Sequence, residues 1–208
     1  ATALQMIIDE DSGSKADQWM FGGQVGAEYR LPAQARLRFA GAYYEWTNNR
    51  ITDFGQAVSQ DGNRRSGTRL LNDYKVAELT TQLSVWACGL PLKLQGTVVR
   101  NVAARFQEVA GRGNQRRNQA GYQTGAILGE AANPHTWEWA YFYKWSESDA
   151  TVADVADSDF GNGGTNRRGH IGWVGYSPND WSQLKFKYFY TKVIANGLPP
   201  GTNGANNP

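Results

Sequence analysis

Few residues in this chain of 208 could do chemistry, and their spacing keeps them apart. There are two histidines, His135 and His170, and one cysteine, Cys88. Nucleophilic catalysis needs nucleophile and base within hydrogen-bond reach. His135 reads as part of a tight turn and His170 as the start of a strand, at opposite ends of the elements set out below. They therefore share neither a metal nor a triad. Cys88 reads as the end of a strand, in its inward row, with nothing nearby to lower the thiol pKa. A lone cysteine excludes a disulfide scaffold and a Cys-based zinc site. Asp154, Asp157 and Asp159 lead into Gly161, Gly163 and Gly164. Clustered carboxylates attract hard cations such as calcium, but the D-x-D-x-D-G spacing with a Glu at position 12 is missing. A Gly-rich turn whose Asp side chains accept bonds from nearby amides is the favoured reading. A calcium loop is the weaker candidate, and an ion pair to Arg167 or Arg168 a third. No catalytic residue, cofactor or enzyme activity is expected.

The composition narrows the class. Lys plus Arg is 21 against 19 Asp plus Glu, a net charge of +2. That balance excludes a dedicated nucleic-acid binder, which carries a larger basic excess. Twenty-four Gly and eight Trp with two Met do not suit a helix bundle. Mean hydropathy is −0.58. No run of about 18 apolar residues marks a transmembrane helix, and no signal-peptide pattern is present. The length fits one domain over 1–208.

The elements that position these residues follow from a period of two. From Trp19, every second residue is Trp19, Phe21, Gly23, Val25, Ala27, Tyr29 and Leu31, while the other row is Gln18, Met20, Gly22, Gln24, Gly26, Glu28 and Arg30. One row is apolar and aromatic, the other mostly polar or Gly, which predicts a half-buried strand. The pattern recurs and predicts long strands over 18–31, 35–48, 75–88, 92–101, 120–131, 136–146, 167–177 and 181–194, with a shorter one over 3–8. In 168–176 the inward and outward rows are ambiguous. Tight turns at Pro32–Gln34, Gly89–Pro91, Ala132–His135 and Pro178–Asp180 alternate with long polar loops over 49–74, 102–119 and 147–166.

Short turn followed by long loop is the layout of an antiparallel up-and-down transmembrane β-barrel. The strands are long enough to cross a bilayer at about 9–11 tilted residues. A soluble β-sandwich or lipocalin-like barrel is the rival, disfavoured by strand length and by basic residues repeated along the polar rows. In the barrel reading Arg30, Arg36, Arg38, Glu78, Lys93, Glu138, Lys144, Lys185 and Lys187 face the lumen. Trp19, Phe21, Phe39, Trp137, Trp139, Tyr141, Phe186 and Tyr188 face lipid. Seven basic inward residues against Glu28, Glu78 and Glu138 leave +4, which predicts a mild anion preference. Two basic loop clusters, Arg64, Arg65 and Arg69, and Arg112, Arg116 and Arg117, read as a constriction loop, as contacts to lipopolysaccharide phosphates, or as solvated charge. By strand parity both chain ends fall on the loop side. Nine strands is odd for a single-chain bacterial barrel, so the expectation is a sector of a barrel of about 16 or more strands, with 197–208 an extracellular loop.

The last third is more specific. Thr136-Trp-Glu-Trp-Ala-Tyr-Phe-Tyr-Lys-Trp145 leads into Asp157-Ser-Asp-Phe-Gly-Asn-Gly-Gly-Thr-Asn-Arg-Arg-Gly-His170, then Trp181-Ser-Gln-Leu-Lys-Phe-Lys-Tyr-Phe-Tyr190. This resembles the C-terminal region of the bacterial "putative porin" family, over about 130–200, without its closing aromatic-ended strand. The resemblance implies a porin integral to the outer membrane of a Gram-negative bacterium, passing small hydrophilic solutes and ions, with outer-membrane lipid and lipopolysaccharide as partners and a homo-oligomer allowed. The alternative is a structural or interaction barrel, plugged or wrapped around a partner, without channel activity.

Overall fold

The structure, a computed structural model, describes residues 1–9, 17–47, 62–66, 69–104, 118–157, 159–161 and 163–195. The side chains of Asp9, Arg65, Ser66, Arg69 and Asp154 lie outside that description, as do Arg112, Arg116, Arg117 and 197–208. The strands are β1 (Thr2–Asp9), β2 (Gln18–Arg30), β3 (Arg36–Trp46), β4 (Arg65–Ser66), β5 (Arg69–Leu70), β6 (Lys75–Ala87), β7 (Leu90–Asn101), β8 (Ala120–Gly129), β9 (Thr136–Ser146), β10 (Arg167–Asn179) and β11 (Ser182–Val193). Nine of them form one sheet in the order β1-β2-β3-β6-β7-β8-β9-β10-β11, every neighbour antiparallel. β4 and β5 form a separate two-residue pair inside the loop after β3. The only helical segment among the described residues is a 3-10 turn, Ala153–Val155. The fold is therefore the all-β, up-and-down sheet that the alternation predicts. β1 and β11 end the order and do not pair with each other among the described residues.

Because paired residues point the same way, the register carries each row across the whole sheet. One row runs Glu28, Arg38, Gln82, Gln95, Gly125, Phe142, Ile171 and Phe189. Its neighbour runs Ala27, Phe39, Thr81, Gly96, Thr124, Tyr143, His170 and Tyr190. The first belongs to what we call the polar face, the second to the aromatic face. The ambiguous segment resolves: Arg167, Gly169, Ile171, Trp173 and Gly175 take the polar face, and Arg168, His170, Gly172, Val174 and Tyr176 the aromatic face.

The two faces differ in room. A Cβ on Gly169 would fall 2.0 Å from the Tyr190 carbonyl oxygen, and one on Gly125 2.2 Å from that of Tyr141. Both lie on the polar face. On the aromatic face the nearest atom to a Cβ on Gly172 is 3.6 Å away, and none comes within 4 Å at Gly41. Glycine here marks close backbone approach on the crowded side. The aromatic face is open, with Val25 69%, Phe186 72% and Tyr188 59% exposed.

Turn chemistry corrects three expectations. Cys88 does not end a strand in the inward row. With Gly89 it forms the two-residue connection of the β6–β7 hairpin, at φ 52° and 77°. Positive φ at both central residues suits the right-handed twist of the flanking strands. Pro91, expected in that turn, lies in β7 opposite Trp86. Pro178 likewise lies in β10, at the register shift between Tyr176 and Asn179. A bulge tolerates a residue without an N–H.

Candidate functional site

The nine charged residues expected to line a lumen share the polar face, and the eight aromatic residues expected to meet lipid share the other. The charges on the polar face are partly paired. Arg38 bonds Glu28 across the β2–β3 pair. Lys185 Nζ lies 3.4 Å from Glu138, whose other bond comes from Trp173 Nε1 at 2.6 Å. Lys187 Nζ lies 3.7 Å from Asp159. Among the described residues Arg30, Arg36, Lys93 and Lys144 make no ion pair, and Glu78 accepts only a hydroxyl, from Thr80 at 3.1 Å. Arg30 and Arg36 sit directly opposite each other, and Arg36 and Lys93 both flank Ser84. The turn end of this face is therefore the basic end. Hydroxyl and amide pairs cover its middle: Thr80 with Thr97 at 3.1 Å, and Gln95 donating to Gln82 at 2.7 Å.

At the opposite end the loops fold onto the polar face. Leu70, Tyr74 and Val152 pack on Met20, Trp46 and Val76. Phe160 packs on Ala140, Phe142 and Ile171, with Trp173 and Phe189 beside them. Lys144 Nζ rests 4.8 Å from the Phe160 ring centroid. This explains why the alternation was unreadable in β10. Ile171 is an apolar residue on the polar face buried with Phe160 of the loop, and Trp173 beside it stacks on Phe142 of β9.

The two loops are joined by a buried polar network. Asp149 accepts bonds from the Arg64 amide (3.1 Å), the Arg64 guanidinium, Asn72 Nδ2 (2.8 Å) and the Tyr74 hydroxyl (3.1 Å). Arg64 and Asp149 are both buried. Burial pushes the Asp149 carboxyl above the usual carboxylate range, while the Arg64 charge and the bonds from Arg64 and Tyr74 pull it back. Asn63 Nδ2 donates to the carbonyls of Ser148 (2.6 Å) and Thr151 (2.8 Å), and its Oδ1 accepts from the Ala153 amide at 2.7 Å. Below this roof lies a cavity of about 540 Å³ lined by Tyr44, Trp46, Glu78, Gln123 and Lys144 from the sheet and Asp157 from the loop.

Sequence reasoning missed this network. It placed Arg64 in a basic loop cluster, whereas the side chain is buried on Asp149 and presents no charge to solvent. Asp149 was not singled out, because a pairing 85 residues apart leaves no local pattern. In the Asp/Gly-rich loop the Asp159 amide donates to the Asp157 carboxylate at 3.1 Å, the turn bond expected there. No group of three metal-ligating side chains forms among the described residues. The ion pair of Asp159 is with Lys187, while Arg167 Nε donates to the Gly163 carbonyl at 3.1 Å. His135, in its turn, lies 3.2 Å from the Tyr176 hydroxyl. His170, near the loop end, lies 2.6 Å from that of Tyr141.

Compared with known families, residues 2–60 and 50–199 match the family model described as "Putative porin". No curated protein and no solved structure matches the chain.

Proposed function

The chain belongs to the putative porin family, and from that premise we propose that its polar face lines a water-filled channel across the outer membrane of a Gram-negative bacterium. Small hydrophilic solutes and ions pass by diffusion, with a mild preference for anions. The observation that carries this reading is the division of the sheet. The described mid-strand charges lie on the polar face, and the opposite face exposes Trp, Tyr, Phe, Leu and Val.

The mechanism is physical. In a bilayer core each unsatisfied backbone amide costs several kcal/mol, so the edges at β1 and β11 need partners and the nine strands form a sector of a closed barrel. A barrel of about 16 or more strands leaves room for water. Solutes entering from the loop side meet the roof held by Asp149 and the cavity beneath it. They then pass the amide and hydroxyl middle and leave past the basic turn end. Three carboxylates are matched by cations. Four cations without an ion pair, Arg30, Arg36, Lys93 and Lys144, against Glu78 and the loop carboxylate Asp157 leave 4 − 2 = +2 on the described surface, which supports anion preference.

The test is reconstitution of the folded full chain in a planar bilayer under a potassium chloride gradient. The expected result is a stable conductance whose reversal potential lies on the chloride side. A folded, inserted protein that carries no current favours the structural barrel instead.

A further inference from the structure

We infer that the loop-side rim of the aromatic face binds a lipid-borne phosphate between Arg168 and Lys192. The inference rests on reading that face as the lipid-facing one. From β2 to β11 the described charged side chains of the aromatic face are Glu45, Lys75, Arg100, Arg168 and Lys192, and all five sit at the loop end of their strands. Below Arg168, the β9 positions from Trp145 to Trp137 carry only Trp and Tyr on this face. Eight residues at about 3.3 Å each make roughly 26 Å along the strand, which at a tilt of about 40° rises roughly 20 Å, most of the apolar band of about 25 Å on such barrels. The charges therefore stand at one membrane–water boundary, the one on the loop side.

Lys75 is satisfied there by Glu45 at 2.7 Å. Arg168 and Lys192 are different. They are direct cross-strand partners, and like charges directly opposite each other are destabilising. Neither makes an ion pair among the described residues. Lys192 Nζ instead lies 5.4 Å from the Tyr190 ring, and Trp145 flanks Arg168 on its other side. A single snorkelling cation at a rim needs no ligand; an opposed pair gains from one anion held between them. A phosphate monoester fits, because the guanidinium fork matches two of its oxygens and the ammonium can take a third. The apolar face directly below would take the acyl chains of a phosphorylated lipid, and a lipid A phosphate has that chemistry.

The test uses the folded full chain in detergent, with retained lipid read by native mass spectrometry. The probes are bisphosphorylated lipid A, the same lipid dephosphorylated, and inorganic phosphate. The wild type should retain the bisphosphorylated lipid and release the dephosphorylated one, and millimolar inorganic phosphate should not displace it. The double variant Arg168→Gln, Lys192→Gln should lose affinity at least about tenfold, because both charge-assisted bonds to the phosphate are removed. Equal retention of both lipids by the wild type, or an unchanged double variant, overturns the inference. Displacement by inorganic phosphate overturns its lipid half and leaves a free-anion site. If the variant does not fold, the two-lipid comparison on the wild type decides alone. Failure of the porin reading is a separate result, seen as a wild type that inserts into a bilayer and carries no current.

Discussion

In β10 the two sides of the sheet can be compared residue by residue along one strand. Arg167, Gly169, Ile171, Trp173 and Gly175 meet close neighbours: the Gly163 carbonyl, the β11 backbone, Phe160, Phe142 and the Lys185 side chain. Arg168, His170, Gly172, Val174 and Tyr176, one step away, meet mainly the rings of Tyr143, Tyr141, Tyr190 and Trp137, or open space. The same strand thus builds a crowded, charged and loop-covered surface on one side and a smooth aromatic one on the other. On the proposed reading the two sides meet different solvents: water and loop residues against the polar face, hydrocarbon against the aromatic face.

Four sets of variants test the contrast between the two faces. Asp149→Asn should have the largest effect, because it leaves the Arg64 guanidinium buried without its counter-charge. Breaking a buried pair this way costs about 3–5 kcal/mol. The roof should open to limited proteolysis while the aromatic face, and hence membrane insertion, stays intact.

Next comes a charge on the wrong face. Trp139→Arg or Phe186→Arg should cost about 2–4 kcal/mol near the bilayer midplane and lower the heat-modifiable folded band on a gel. Lys93→Glu, on the polar face, should leave that band unchanged. If both kinds of change behave alike, the assignment of faces is wrong.

A third comparison stays within β10. Gly169→Ala puts a methyl group into the Tyr190 carbonyl and should cost about 1–3 kcal/mol as overpacking, read as a lower urea midpoint for unfolding from vesicles. Gly172→Ala, with 3.6 Å of clearance, should be close to neutral. The smallest effect is electrical. Arg36→Glu with Lys93→Glu reverses two unpaired charges at one height of the polar face. The reversal potential should move toward cations by some millivolts, more at 0.01 M than at 1 M salt, where the screening length has shrunk from about 30 Å to 3 Å.

Most of the fold was legible because strand alternation is local, and here one face is apolar over most of its length. The strands expected over 75–88 and 136–146 appear as Lys75–Ala87 and Thr136–Ser146. The sorting of charges onto one face follows from the same period of two. What the sequence hid depends on contacts far along the chain. Ile171 and Trp173 broke the alternation because Phe160 and Phe142 cover them. Arg64 looked like surface charge because its partner lies 85 residues away. Cys88 looked like a strand residue because its positive φ is set by the hairpin twist and not by its side chain.

The central claim is that the polar face, and not the aromatic one, borders the conducting path. Lys187 and Tyr188 are neighbours in β11 on opposite faces, so one cysteine at each position separates them by a single residue. On a Cys88→Ser background, Lys187→Cys and Tyr188→Cys would each be held open in a planar bilayer and exposed to a charged, membrane-impermeant thiol reagent. With the polar face on the conducting path, current falls stepwise at position 187 and does not change at 188. A fall at 188 with no change at 187 would contradict it.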